Sequence, residues 1–372
     1  MVTLSAFEIH HIVGELQELV GAKIEKVFQQ KKPLDDFLFQ LHKPGSGKAY
    51  IYTSLPGTIC QSSFKPVFPD IPPAFCSALR RKISNARIQA IEQHDFERII
   101  KITLSTKHGD CILLFELFSS GNIILLGGNN KILSVLHPKV YSTERQLLPA
   151  KIYAFPKSQT NPFKLYLDTF IDLVMRSKKD SLVTFLAVDC SLGGTYAEEI
   201  LAIANVDKET DPQKSSKEES TKVFEALKKL LEEKTSPFQF GEDKVSPVPL
   251  VSKEGKKYEG TFTNLVADLA LAELEEAEQK TASKDKDASL SKFDKVLKSQ
   301  EHQLKGLKIS EKENQEKGDL IYTNYQEVQE VLNKISKLRK TESWKDIKEE
   351  LKDNPLVENV DEHNGKVTIN LE

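Results

Sequence analysis

No run of eighteen apolar residues occurs among the 372 of this chain, so no membrane-spanning helix is expected. The opening stretch MVTLSAFEIHHIVGEL has neither a basic region nor a cleavable apolar core, and does not read as a signal peptide. Cysteine is scarce: the four, Cys60, Cys76, Cys111 and Cys190, lie scattered among apolar neighbours, with no CxxC and no histidine at ligand spacing. That argues against a disulfide framework or a zinc site, and predicts reduced core thiols in a cytoplasmic protein. His10 and His11 are adjacent and face different sides of a helix, which argues against a two-histidine metal site. No metal and no cofactor are expected.

What is present is length, apolar content and an uneven charge. With 372 residues and 39% apolar side chains, two or three cored domains are expected. Up to Pro156 the chain holds 18 Lys and Arg against 13 Asp and Glu, a net +5; the remainder holds 34 against 42, a net −8. A mildly basic front permits contact with nucleic acid without demanding it.

The stretch Pro72 to Leu126 organises the front part. A proline pair opens a helix whose apolar face is Ala74, Phe75, Ala78, Leu79 and Ile83, with Arg80, Arg81 and Lys82 on the other side. Four strand-like runs follow, Arg87 to Glu92, Arg98 to Ser105, Cys111 to Phe118 and Asn122 to Leu126, and GlyGlyAsnAsn announces another hairpin before Lys131 to Leu136. Ahead of this, Ser5 with Glu8 reads as a capping box for a helix over 5–20, and Lys23 to Gln29, Asp36 to Leu41 and Ala49 to Thr53 read as a meander. Phe64 to Pro73 is a proline-stiffened link. Glu97-Arg98 stands where an alternating strand begins; the guanidinium is either aimed at a phosphate or carboxylate, or part of a solvated charge pair.

Further on, 180–188 and 192–204 read as helix, glycine turn, helix. Gly193 and Gly194 are expected to supply positive φ or close approach, and Thr195 to cap the second helix with Glu198 three residues later. The residues alone leave open a phosphate-binding helix-hairpin-helix or an ordinary packed αα-hairpin. Asp207 to Thr221 reads as a charged linker, Val223 to Lys234 as an amphipathic helix, 237–251 as a small strand pair and Thr263 to Ala277 as a helix. The polar 283–289 stretch is expected to fray.

From Phe293 through Leu297, Gln300, Leu304, Leu307, Glu311, Asn314, Gly318, Ile321, Tyr325, Val328, Leu332 and Ile335 the steps alternate four and three, a heptad seam about 65 Å long if helical throughout. Gly318 is the expected break, and Asn324 and Tyr325 are expected to pack in the seam. A short helix from Trp344 to Leu351 and a hairpin turning at His363-Asn-Gly close the chain. No long return helix follows, so the seam is expected to need a partner, either the remainder of a longer protein or a separate chain completing the coil.

The ordered segments SAFEI, KIEKVFQQ, PPAFCSALRRKI, QHDFERIIKITL, FELFSSGNIILL and LLPAKIYAFP resemble the N-terminal part of the NFACT family, and GGTYAEE and KGDLIYTNYQEVQEVL extend the resemblance over nearly the whole chain. That family includes ribosome-associated quality-control factors and bacterial fibronectin-binding proteins. The resemblance implies an α+β fold: a β-rich, glycosylase-like N-terminal domain over 1–158, a helix-hairpin-helix region over 159–236 and a middle region with a coiled-coil arm over 237–372. It implies a non-catalytic RNA-binding factor that binds the large ribosomal subunit with stalled peptidyl-tRNA and recruits tRNA for C-terminal tailing of the nascent chain. Glu8, Glu97 and Arg98 fall where the family has Asp, Asp and Arg in a surface serving tRNA. The expected RNA-binding set adds Arg80, Arg81 and Lys82 for phosphates and Gly193, Gly194 and Thr195 for backbone contact. The other readings are a DNA-glycosylase-like enzyme, which needs an N-terminal amine with a neighbouring acid where this chain has Val2 and Thr3, and a coiled-coil adhesin or scaffold of the fibronectin-binding type.

Overall fold

Alternate residues of the strands enter different cores, which explains why they read as nearly continuous apolar runs. In β6 (Ile99–Thr106), Ile100, Ile102 and Leu104 join one core while Ile99 joins another; in β8 (Asn122–Gly127), Ile123 and Leu125 face Ile124 and Leu126 in the same way. A period of two with both faces covered leaves little room for polar residues. The computed structural model describes residues 2–30, 35–157, 159–362 and 364–371, with the side chains of 278–296, 299 and 302 excepted. The side chains of Phe293 and of the 283–289 stretch, and the whole of His363 of the expected turn, lie outside what is described; the backbone over 283–289, expected to fray, is helical.

The first compact unit is Met1–Gln279. Its centre is a nine-stranded antiparallel sheet in the order β4-β3-β2-β1-β5-β6-β7-β8-β9. Two meanders build it. The first is β1 (Lys23–Gln30), β2 (Asp36–Lys43), β3 (Gly47–Ser54) and β4 (Thr58–Ser62); the second is β5 (Arg87–Gln93), β6, β7 (Gly109–Glu116), β8 and β9 (Ile132–Val135). They join where Lys23 pairs with Arg87. A short pair, β10 (Lys139–Val140) and β11 (Gln146–Leu147), follows. β4 was not expected: it is short and comes directly after Leu55-Pro56-Gly57, which reads as the end of strand structure.

α1 (Ala6–Leu16) begins with the expected capping box, Ser5 and Glu8 each bonding the other's backbone N–H. Ile9, Ile12 and Leu16 press it on the sheet core. α2 (Ala74–Ile83) buries Cys76, Leu79 and Ile83.

The second core of this unit is helical: α3 (Leu167–Arg176), the single turn α4 (Leu182–Thr184) continuing into a π-turn over Phe185–Asp189, α5 (Gly193–Ala204) and α6 (Lys217–Leu231). It also takes in Ala6 and Phe7 of α1 and Phe96 from the loop before β6. α6 corrects the linker reading of Asp207 to Thr221. Ser216 and Glu219 form a capping box, so the helix starts inside the charged, serine-rich stretch and ahead of Val223. The strand pair expected over 237–251 is a three-stranded sheet, order β13-β12-β14, of β12 (Phe238–Gln239), β13 (Val245–Ser246) and β14 (Lys256–Lys257).

α7 (Phe262–Thr323) starts in the first unit, where the Glu15 carboxylate of α1 accepts the N–H groups of Phe262 at 2.8 Å and Thr263 at 2.7 Å. Those are first-turn donors that the helix itself cannot satisfy.

The second unit is Lys280–Glu372. Gly318 lies within α7 and does not break it. The interruption falls at Asn324 (φ −102°, ψ 32°), before α8 (Tyr325–Leu338). Asn324 does not pack in a seam: its amide donates to the carbonyls of Leu320 at 3.1 Å and Leu371 at 3.4 Å. The heptad positions Leu297, Leu304, Leu307, Ile321, Tyr325 and Leu332 are exposed, whereas Val328 is buried. α9 (Trp344–Leu351) and the hairpin β15 (Val357–Asp361) and β16 (Lys366–Ile369) enclose a small core of Ile347, Leu351 and Val360.

Candidate nucleic-acid interface

Two clefts open beside the start of α1, and the sequence-predicted residues divide between them. The first, about 370 Å³, is lined by Thr3, Ser5, Glu97, Arg98, Ser191 and Gly193, among others. The second, about 320 Å³, is lined by Val2, Glu8, Thr195, Phe240 and Lys244, among others. Thr3 lines both. Segments far apart in sequence therefore meet here: the residues before α1, the loop entering β6, and the first turn of α5.

Arg98 is half-buried at the start of β6. Its backbone carbonyl accepts the Leu117 N–H at 2.8 Å, which fixes the main chain. The guanidinium itself has no hydrogen-bond or ion-pair partner among the described residues. Burial lowers its pKa, and the charge of Glu97 opposes this. The Glu97 carboxylate is turned elsewhere, accepting the Gln159 N–H at 2.8 Å. A partly desolvated cation whose neighbouring carboxylate is not paired with it is costly to hold, and such a group in a cleft is a candidate for ligand contact.

Across the cleft is the N-terminus of α5. Gly193 has φ +75°, a backbone conformation that only glycine adopts freely, and a Cβ there would sit 3.9 Å from that of Ser5. Gly194 has no positive φ and no close neighbour, so only the first of the two glycines carries the expected role. Thr195 does not cap α5. The helix begins at Gly193 behind Leu192, Thr195 lies inside its first turn, and no side chain caps it. The positive φ at Gly193 turns the chain into the helix three residues earlier than the capping pattern suggests. Glu198, the expected capping-box partner, instead binds Lys253 at 2.8 Å and Lys208 at 3.4 Å. The first amides of α5 thus lack intrahelical and side-chain partners, and the helix dipole makes that end mildly positive.

Glu8 is a strut. It is 7% exposed; Ser5 N–H donates to Oε2 at 2.6 Å and Tyr196 O–H donates to Oε1 at 2.7 Å. Burial raises its pKa, and the hydrogen bonds from Ser5 and Tyr196 oppose the rise. The bond to Tyr196 ties the start of α1 to α5 and so fixes the distance between the two walls. Gln93 is another strut, its Nε2 donating to the carbonyls of Ala6 at 2.8 Å and Glu97 at 3.0 Å. Glu199, 1% exposed, accepts the N–H groups of Val251 at 2.6 Å and Ser252 at 2.9 Å. Sequence reasoning missed Gln93, Tyr196 and Glu199; the only visible signal was that Tyr196 and Glu199 stand inside the GGTYAEE segment.

Arg80, Arg81 and Lys82 do not join this site, since none lines either cleft. Arg80 donates from Nε to the Val27 carbonyl at 2.6 Å, holding α2 on β1. Val2 is 3% exposed and its carbonyl accepts the Thr58 hydroxyl at 2.5 Å. An acid does stand near it, contrary to expectation, for Glu8 lines the same cleft; both carboxylate oxygens are already engaged. His11 is buried, with Nδ1 2.8 Å from Thr235 Oγ1, and the four cysteines are buried and free. Among the described residues no group of three or more His, Cys, Asp or Glu is placed to hold a metal, and no helix is long and apolar enough to cross a membrane.

A large antiparallel sheet bearing a helical second core, with an anion-suited cleft where they meet, defines a mixed α and β chain equipped for binding. Residues 5–372 match the NFACT N-terminal and middle domains, and the chain belongs to that family. It is similar to the archaeal Rqc2 homolog aRqcH of Methanocaldococcus jannaschii, 31% identical over 386 residues, covering 97% of this chain and 57% of that protein. The Rqc2 homolog RqcH of Streptococcus pneumoniae is 26% identical over 319 residues, covering 82% of this chain and 53% of that one. The ribosome quality control complex subunit 2 of Saccharomyces cerevisiae is 29% identical over 133 residues, 36% of this chain and 12% of that one. This chain thus spans little more than half the length of the first two relatives. In fold it is similar to the N-terminal part of the fibronectin/fibrinogen-binding protein of Streptococcus suis, with a TM-score of 0.59 at 18% identity over 74% of this chain and 100% of that one. The relatives named above make this a family of ribosome quality control factors.

Proposed function

We propose that this chain is the RNA-contacting front part of a ribosome quality control factor. In this reading it binds the large ribosomal subunit carrying stalled peptidyl-tRNA and recruits tRNA for C-terminal tailing of the nascent chain. The observation that carries the proposal is the unpartnered, half-buried Arg98 facing the uncapped first turn of α5 across one cleft. Both groups favour an anion, and a phosphate of folded RNA satisfies both without being read for sequence. α4, its π-turn and α5 then act as a helix-hairpin-helix presenting backbone N–H groups. The ribosome supplies peptidyl transfer, so the chain needs positioning groups and no nucleophile. Glu8 and Glu97 serve by bracing: Glu8 sets the spacing of α1 and α5, and Glu97 holds the loop through Gln159.

Co-sedimentation with large subunits bearing peptidyl-tRNA, and binding of deacylated tRNA, test this at physiological salt. Loss of one charge-assisted contact of about 1.5–3 kcal/mol predicts at least a tenfold weaker complex for Arg98→Ala. Unchanged association and tRNA binding in that variant refute the proposal.

A further inference from the structure

Three cations converge on one phenyl ring at a place that neither cleft touches. Lys26 Nζ lies 5.1 Å, Lys65 Nζ 4.4 Å and Arg80 Cζ 5.5 Å from the centroid of Phe28. They come from β1, from the proline-rich stretch before α2 and from α2 itself. Phe28 stacks on Phe68 of that stretch, centroids 5.4 Å apart and planes inclined by 28°. None of the three cations has a carboxylate partner among the described residues. Glu25, the acid next to Lys26, is engaged by Gln40 Nε2 at 2.7 Å and lies 3.8 Å from His42.

Cation–π attraction returns about 0.5–1 kcal/mol per pair at exposed sites, and the like charges oppose one another. With no acid among them, such a group is best satisfied by a multiply charged anion. Two stacked phenyls beneath a set of cations are the chemistry of sequence-tolerant binding to single-stranded nucleic acid. A carboxylate-bearing peptide is less well matched: two of the three cations are lysines, which act as point charges, and the fork of Arg80 is already committed at Nε to Val27.

We propose that this face, formed by Lys26, Lys65 and Arg80 around Phe28 and Phe68, holds a single-stranded stretch of RNA, separately from the cleft at Arg98. The proposal rests on the reading of the chain as an RNA-contacting factor and adds a second point of contact to it. Lys26 and Lys65 are exposed, so replacing both leaves the fold in place, whereas Arg80 is needed by α2 and is left alone.

The test uses the full chain, an oligouridylate and deacylated tRNA as probes, and poly-glutamate as competitor. Lys26→Gln with Lys65→Gln is expected to weaken oligouridylate binding and to lower the slope of log affinity against log salt by about 1.4, two phosphate contacts at roughly 0.7 each. Lys26→Arg with Lys65→Arg is expected to restore the slope. An unchanged slope in the glutamine pair overturns the proposal, and so does poly-glutamate displacing the oligonucleotide at equal charge concentration. If Arg98→Ala loses tRNA while the glutamine pair binds oligouridylate normally, the cleft reading stands and this one falls. The reverse pattern sustains this surface and removes the cleft.

Discussion

Acid should loosen the junction between the two cores of the first unit through His11. The ring is 9% exposed, meets Phe7 edge-on with centroids 4.7 Å apart, and its Nε2 is buried without a hydrogen-bond partner. Burial, helped by the charge of His10, pushes its pKa down to about 4. An unfolded histidine titrates near 6.5, so between these values the unfolded chain binds the extra proton and stability falls as pH is lowered. The stabilising contribution is complete above pH 6.5 and disappears as pH drops towards 4. At about 1.4 kcal/mol per pKa unit, roughly 3 kcal/mol is lost between pH 7 and pH 4. For a denaturant slope of about 3 kcal/mol per molar urea, the midpoint falls by about 1 M. Urea unfolding followed by circular dichroism, with amide exchange in α1 as the local readout, measures this. His11→Asn keeps a side chain able to bond Thr235 and removes the titration, so its midpoint should depend less on pH across that window. Parallel curves for the two proteins would refute the assignment, because His10 and the carboxylates are common to both.

Tyr196→Phe leaves one oxygen of buried Glu8 without its donor and is expected to cost about 1–3 kcal/mol, read as a lower urea midpoint. Because burial holds the Glu8 pKa above its ordinary value, the native state keeps that proton longer, and Glu8 disfavours folding as pH rises through its raised pKa. Glu8→Gln should therefore flatten the fall in stability on the alkaline side of the usual carboxylate range, and an unaltered slope would contradict this. Gly193→Ala puts a side chain at φ +75° with no serious overlap, so strain of about 1–2 kcal/mol sets its cost, and tRNA binding should weaken as the first amides of α5 shift. Glu15→Ala removes the acceptor for two N–H groups at the start of α7; about 1–2 kcal/mol of local protection should vanish from amide exchange at Phe262 and Thr263.

The strands were legible where short apolar runs of strand length are bounded by turn residues. β5 to β8 fell within a residue or two of expectation because Ile, Leu and Phe occupy both faces. β4 was hidden by the proline and glycine before it. The start of α6 was hidden by lysines, glutamates and serines that look like solvated linker, although Ser216 and Glu219 carried the capping signal all along. The candidate site was legible as residue types, not as geometry. Arg98 and Gly193 were named and do face one cleft; Arg80, Arg81 and Lys82 were named and stand elsewhere. No local pattern reveals that Glu8 bonds Tyr196, 188 residues away in sequence, so its bracing of α1 against α5 was beyond reach of the sequence.

Phe7 and Ile12 leave the same helix for different cores, one helical and one built on the sheet. A chain cut near residue 158 would keep the sheet but turn Phe7, Ala6 and Phe96 outward into water, leaving an adhesive scar on the fragment. Grafting either half onto another scaffold would deliver a single wall of the crevice without the one opposite.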